Sequence, residues 1–241
     1  MNHLAFIRYQ LQGVDALKFL QGQVTLHVDR LATATPRYTA ICDLKGRIQF
    51  GLWLTKQSAE HFEIVVTQDQ SEEFAKHIRK YGAFSKMTLS DPTQVYPEIT
   101  ADSTQFSPEI TDVITWQLQA IEQGQAFIRQ ATAHEFQPQE LRLHQREGVH
   151  YDKGCYLGQE IVARLWFKAK PKHWLHLVQG QGVAPQAGEK LNADVQVVNS
   201  IADADGFKAL VVAKPDALAP LGLSILNLPE SLNGDVARPQ S

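Results

Sequence analysis

Residues 37–55, RYTAICDLKGRIQFGLWLT, alternate in character on both sides of a short glycine-containing break. Tyr38, Ala40 and Cys42 share one face before it, and Ile48, Phe50, Leu52 and Leu54 share one face after it. Successive side chains of a strand point to opposite faces, so a period of two commits this segment to an antiparallel hairpin turning at Gly46. A lone hairpin is marginal in water and needs further strands or a helix against its apolar face. The neighbouring segments supply them. HFEIVVTQ reads as a strand, SEEFAKHIRKYG as an amphipathic helix with Phe74, Ile78 and Tyr81 on one side and Gly82 as its stop, and KMTLSD as another strand. Upstream, GVDALKFLQGQ reads as a short helix capped by Asp15, with Val14, Leu17 and Leu20 three apart and Phe19 beside them.

Residues 91–111 are rich in Pro, Thr, Ser and acidic residues and read as an irregular crossing between subdomains. TDVITWQLQAIEQGQ then predicts a helix capped by Thr111 or Asp112, ended by Gly124, and buried along Ile114, Leu118 and Ile121. Trp116 lies off that stripe, which calls for a ligand or an interdomain surface against it. After Pro171 the texture changes to short strand-like pieces separated by Gly, Asn, Asp and Pro, the pattern of a small antiparallel β-barrel or sandwich. The tail NGDVARPQS is expected to fray.

The 241 residues suit two or three small domains, and their apolar runs, such as GLWL and ALVV, are too short to span a bilayer. MNHLAFIRYQ lacks the layout of an export signal, so a cytoplasmic protein is expected. Net charge is −3, which argues against a chain whose main task is wrapping a phosphate backbone. The basic cluster Lys168, Lys170 and Lys172 reads as a solvated connector, and direct nucleic-acid binding is not expected. Two cysteines and scattered histidines give no metal-ligand spacing.

Chemistry concentrates in DKGCYLGQEIVAR, residues 152–164. Ile161, Val162 and Leu165 are at helical spacing, which puts Cys155 and Tyr156 at or just before a helix N-terminus. The helix end and Lys153, two residues away, would both favour a thiolate. The alternative is a buried thiol acting as a small hydrophobe, the reading that also suits Cys42 inside its alternating strand. Gly154 and Gly158 allow a tight backbone path. Glu160 and Arg164, four apart, could pair on the helix face or remain solvated.

KGCYLGQE, residues 153–160, resembles the K-G-C-Y-x-G-Q-E signature of the YgfZ family, and IVAR through Arg164 continues it. GVDALKFLQGQVT, AICDLKGRI, WQLQAIEQGQAFI and FQPQELRL resemble further family segments in the same order, so the likeness covers roughly residues 4 to 175. It implies an α+β protein related to the aminomethyltransferase (T-protein) of the glycine cleavage system, with three domains around a central cavity. The implied partition is a discontinuous folate-binding-type domain over residues 1–46 and 108–168, a ferredoxin-like subdomain over 47–107, and a C-terminal antiparallel β-barrel over 169–241. It further implies tetrahydrofolate or a derivative as ligand, with Trp116 and Phe6 at the positions of the family's two folate-contacting tryptophans. The implied function is an accessory one. The protein would support iron–sulfur enzymes, such as a tRNA methylthiotransferase, through Cys155 as a reactive thiol flanked by Lys153, Gly154, Tyr156, Gly158, Gln159, Glu160 and Arg164.

Two enzymatic alternatives stand beside it. A folate-dependent aminomethyl transferase needs a placed carboxylate, for which Asp43 in the hairpin turn is the best remaining residue. A cysteine hydrolase would pair Cys155 with His144 or His150 as base.

Overall fold

β1 (Phe6–Gln12) sits inside a sheet that the first hundred residues build around it. The structure, a computed structural model, describes residues 4–100, 103–204 and 206–238. α1 (Ala16–Gln21) leads into the hairpin of β2 (Arg37–Cys42) and β3 (Ile48–Ser58). β4 (His61–Thr67), α2 (Ser71–Tyr81), β5 (Thr88–Leu89), β6 (Thr93–Ile99) and β7 (Thr104–Ser107) follow. The antiparallel spatial order is β2-β3-β4-β1-β6-β7, with β5 also paired to β1. The implied domain boundary at 46/47 therefore falls in the β2–β3 turn, inside one hydrogen-bonded sheet.

The 91–111 crossing is not irregular, for β6 and β7 occupy it. Pro97 weakens the strand signal because it has no amide hydrogen to donate. It lies beyond Val95, where pairing with β1 ends, so no β1 ladder bond is lost. Within β3, Phe50, Leu52 and Leu54 pack with Leu20, Phe74 and Ile78, whereas Ile48 packs with Ala40 and Cys42 on the other side. Ile41 pairs with Phe50 but Cys42 pairs with Ile48, and this one-residue bulge moves Ile48 off the face its parity assigns.

The short helices depart from the expected burial at single residues. α1 buries Ala16, Phe19 and Leu20 while Val14 is 61% exposed, and the Asp15 carboxylate accepts from the Lys86 amide (2.7 Å) rather than capping the helix. In α2, Phe74 and Ile78 are buried and Tyr81 is exposed.

α3 (Val113–Glu122) is capped by Asp112, whose carboxylate accepts from the amides of Ile114 (3.0 Å) and Thr115 (3.2 Å). It buries Trp116, Ala120 and Ile121, while Ile114 is 69% exposed. The indole brings more apolar surface than any other side chain of this helix, and its face docks on Phe6 and Phe127.

α4 (Gln159–Lys168) closes the first part of the chain. β8 (Trp174–Gly180), β9 (Lys190–Asn192), β10 (Val195–Asp203), β11 (Gly206–Ala213) and β12 (Ser224–Leu226) form a second antiparallel sheet, paired as an open path β12-β8-β11-β10-β9. Asn199 ties it to the first part: its side-chain amide exchanges two hydrogen bonds with the Phe127 backbone (3.0 and 2.9 Å). The C-terminal segment packs rather than frays as far as it is described. Leu232 and Val236 are buried, and the Gly234 carbonyl accepts from Arg142; residues 239–241 of that tail lie outside the described residues.

Candidate functional site

The motif loop is pinned from three sides. Lys153 is only 8% exposed, and its ammonium donates to the carbonyls of Val24 and Leu26 (the latter at 2.7 Å) while lying 4.8 Å from the centroid of the Tyr156 ring. Two of its N–H groups thus have carbonyl acceptors, and the charge lies beside an aromatic ring. Burial pulls the Lys153 pKa down to about 7. This corrects the expected Lys153–Cys155 pairing: the cation is engaged with the Val24–Leu26 segment.

Tyr156 is buried, its hydroxyl has no hydrogen-bond partner among the described residues, and burial pushes its pKa up. Gln159 donates from its side chain back to the Lys153 carbonyl (3.4 Å). Gly158 stands at φ 77 as the residue before α4, and a Cβ there would collide with the Asp43 carbonyl oxygen in the β2–β3 turn. Glycine at 158 therefore seats the motif on the hairpin.

Cys155 is exposed, as is Gly154, which has open space around it. The thiol precedes the first residue of α4 by four positions. Cys42 is its opposite, fully buried, with burial pushing its thiol pKa up. Glu160 and Arg164 are both exposed, and no ion pair joins them among the described residues.

A cavity of about 740 Å³ opens elsewhere, between the start of β2, the β6–β7 hairpin, the end of α3 and the turn before Gly148. Trp53 and Tyr38 form its aromatic wall, with ring centroids 4.6 Å apart. The Tyr38 hydroxyl accepts from the Ile128 amide (2.8 Å), and a side chain at Gly51 would collide with it. Trp116 and Phe6 are brought together, centroids 5.0 Å apart, but beneath this wall. Trp116 is 2% exposed and contributes through hydrogen bonds: its indole N–H donates to the Thr104 hydroxyl (3.2 Å), which donates to Gln125 Oε1 (2.9 Å). That relay fixes the Gln125 amide at the cavity with its NH₂ group as the remaining donor. Arg146 also lines the cavity. It donates to the Gln123 carbonyl (3.0 Å), and burial holds its pKa down to about 10. Glu147 is the one carboxylate of the lining among the described residues, and it pairs with Arg37 (3.4 Å). Sequence reasoning missed Trp53, Gln125 and Arg146. The alternation marked Trp53 as a strand residue, and nothing local to the two polar residues carried a signal.

None of the residues 152–160 lines this cavity, so the structure does not bring Cys155 to Trp116 and Phe6. A shallower depression of about 810 Å³ at the Gly180–Gly206 end of the second sheet offers neither aromatic faces nor charges among the described residues. Asp43 accepts from the Lys45 and Arg47 amides and from His134 (2.8 Å); these bonds hold its carboxyl below its usual pKa against the upward push of burial. It is a turn-forming residue away from the cavity lining. His144 packs on Trp166, and His150 accepts from the His27 amide (3.1 Å). Neither is hydrogen-bonded to Cys155 among the described residues. No cluster of three metal-ligating side chains occurs among the described residues, and none of their helices is long and apolar enough to cross a membrane.

The GCVT N-terminal domain family matches residues 1–102. An uncharacterized protein of Haemophilus influenzae is 30% identical over 74% of this chain and 73% of its own length. The tRNA-modifying proteins YgfZ of Serratia proteamaculans and Pectobacterium carotovorum are 26% and 27% identical, each over 74% of this chain and 70% of theirs. Among solved structures, the glycine cleavage system aminomethyltransferase T from Bartonella henselae superposes with a TM-score of 0.60 at 12% identity, over 88% of this chain and 77% of that one, a likeness of fold.

Proposed function

The chain belongs to the YgfZ family, and from that premise we propose that it is a folate-binding accessory protein that supports iron–sulfur cluster assembly or maintenance and thereby tRNA modification. Tetrahydrofolate or a derivative occupies the cavity walled by Trp53 and Tyr38, whose size and aromatic lining suit a flat heterocycle bearing polar edges. The Gln125 amide, oriented through Trp116 and Thr104, donates to an acceptor on that ring system. When bound, the folate supplies a reduced pterin able to carry a one-carbon unit; the chain's own part is to hold and orient it.

The observation that carries the functional reading is Cys155 itself, an exposed thiol on a loop that Lys153, Tyr156 and Gln159 hold still. A fixed, outward-facing sulfur suits chemistry on a second macromolecule, and the partners proposed are iron–sulfur enzymes such as a tRNA methylthiotransferase. Aminomethyl transfer is disfavoured because, among the described residues, the one carboxylate lining the cavity, Glu147, is engaged with Arg37. The test is replacement of the cell's own copy by Cys155→Ala. Loss of methylthiolated tRNA with tetrahydrofolate affinity unchanged is expected, and normal tRNA methylthiolation would reject the thiol's role.

A further inference from the structure

Arg146 ends a single helical turn, Leu143–Arg146, that is bracketed by two non-glycine residues in the left-handed region, Arg142 (φ 55) and Glu147 (φ 58). Such backbone persists only where its surroundings over-determine it. Here the clamp is Arg142, buried, donating to the carbonyls of Leu175 (3.1 Å) and Gly234 (2.8 Å) and to Gln145 Oε1 (3.0 Å). What the strained turn delivers is the neighbouring arginine, placed on the cavity wall.

The two arginines differ in how their charge is met. Arg142 has three neutral acceptors around its guanidinium. Among the described residues, Arg146 is partly buried with one acceptor, the Gln123 carbonyl, for five N–H groups, and no carboxylate lies within salt-bridge distance of it. Its neighbour Glu147 turns instead to Arg37. A cation drawn into low dielectric is ordinarily paired, and a guanidinium presents a planar fork matched to a carboxylate.

We propose that Arg146 anchors a carboxylate of the ligand held in this cavity, which, on the folate reading it rests upon, is the glutamate tail. The aromatic wall and Gln125 take the uncharged part of the molecule, and Arg146 takes its anionic end.

Three probes separate this inference from the reading beneath it: tetrahydrofolate, a tetrahydropterin without the benzoyl-glutamate tail, and p-aminobenzoyl-glutamate alone. Each is titrated by calorimetry into wild type, Arg146→Gln and Arg146→Lys, with folding checked by thermal melting. Wild type is expected to hold tetrahydrofolate about tenfold or more tighter than the tail-less pterin, the scale of a charge-assisted pair. Arg146→Gln weakens tetrahydrofolate about tenfold while leaving the tail-less pterin's own affinity unchanged, and Arg146→Lys loses less. Should Arg146→Gln not fold, Arg146→Lys decides alone, since an unchanged tail preference in it would overturn the bidentate anchor. If tetrahydrofolate binds and Arg146→Gln keeps the full tail preference, the anchor is wrong and the folate reading survives. If wild type binds p-aminobenzoyl-glutamate but not tetrahydrofolate, and Arg146→Gln loses it, the folate reading fails and the anchor stands. No binding of any probe to wild type overturns both.

Discussion

The motif loop and the cavity are built on opposite plans. The loop is one stretch of sequence, residues 152–160, in which Lys153 and Tyr156 turn inward against the Val24–Leu26 segment, Gly158 seats on the hairpin, and the Cys155 sulfur stays outside. The cavity is assembled from residues as far apart as Thr35 and Ser231, and its polar groups point into shared space. The loop spends its polar chemistry on itself, whereas the cavity keeps some in reserve, as the orientation of Gln125 and the sparse partners of Arg146 indicate. The difference teaches that the most recognisable residues of a family signature can be mainly a mount for one exposed thiol, while the aromatic-walled cavity draws on residues with no signature at all.

Substitutions can break this contrast, starting where the loop meets the hairpin. Gly158→Ala combines a left-handed backbone with a collision against the Asp43 carbonyl and should cost about 2–4 kcal/mol in urea unfolding. A loss below about 1 kcal/mol would mean that the loop does not seat on the turn as described.

Lys153→Met removes the donor that satisfies two buried carbonyls and should cost about 1–3 kcal/mol near neutral pH. Its pH dependence is the sharper test. The folded pKa of about 7 lies below the roughly 10.4 of an unfolded lysine, so between those values the unfolded chain binds the extra proton. Wild-type stability relative to Lys153→Met should rise as pH climbs from about 7 to about 10 and carry its full penalty below that window. A gap that is flat or narrows with rising pH would contradict the lowered pKa of Lys153.

On the cavity side, Trp116→Phe keeps the ring in the cluster with Phe6 and Phe127 but removes the N–H that starts the relay to Gln125. Stability should fall by about 1 kcal/mol, and tetrahydrofolate binding should weaken without disappearing. Complete loss of binding would instead favour direct stacking on this indole. Least is expected of Cys155→Ser. An exposed side chain outside the packed core should change stability by no more than about 0.5 kcal/mol, leaving functional effects free of folding effects.

Where the sequence was readable, the signal was local. The hairpin over 37–55 and the helix over 71–81 carry their period and stop residues within themselves, and both form as expected. The misreadings arose where a distant partner decides. Ile114 and Trp116 both suit a helix, but only the presence of Phe6 and Phe127 across the fold determines that the indole turns inward. Pro97 looked like a strand breaker because its position beyond the end of β1 pairing is a tertiary fact. Ile48 changes face through a single bulge that alternation cannot reveal. Within the motif, the spacing placed Lys153 near Cys155 along the chain, yet two buried carbonyls from residues 24 and 26 compete for its ammonium and win.

The thiol and the aromatic-walled cavity are separate: Cys155 is exposed, and none of residues 152–160 lines the cavity. Timed alkylation by iodoacetamide of the folded protein, read by mass spectrometry at each cysteine with and without tetrahydrofolate, tests this separation directly. The account predicts that Cys155 labels readily at a rate the folate leaves unchanged, while Cys42 labels only on unfolding. Protection of Cys155 by tetrahydrofolate, or labelling of Cys42 at a comparable rate in the native state, would contradict it.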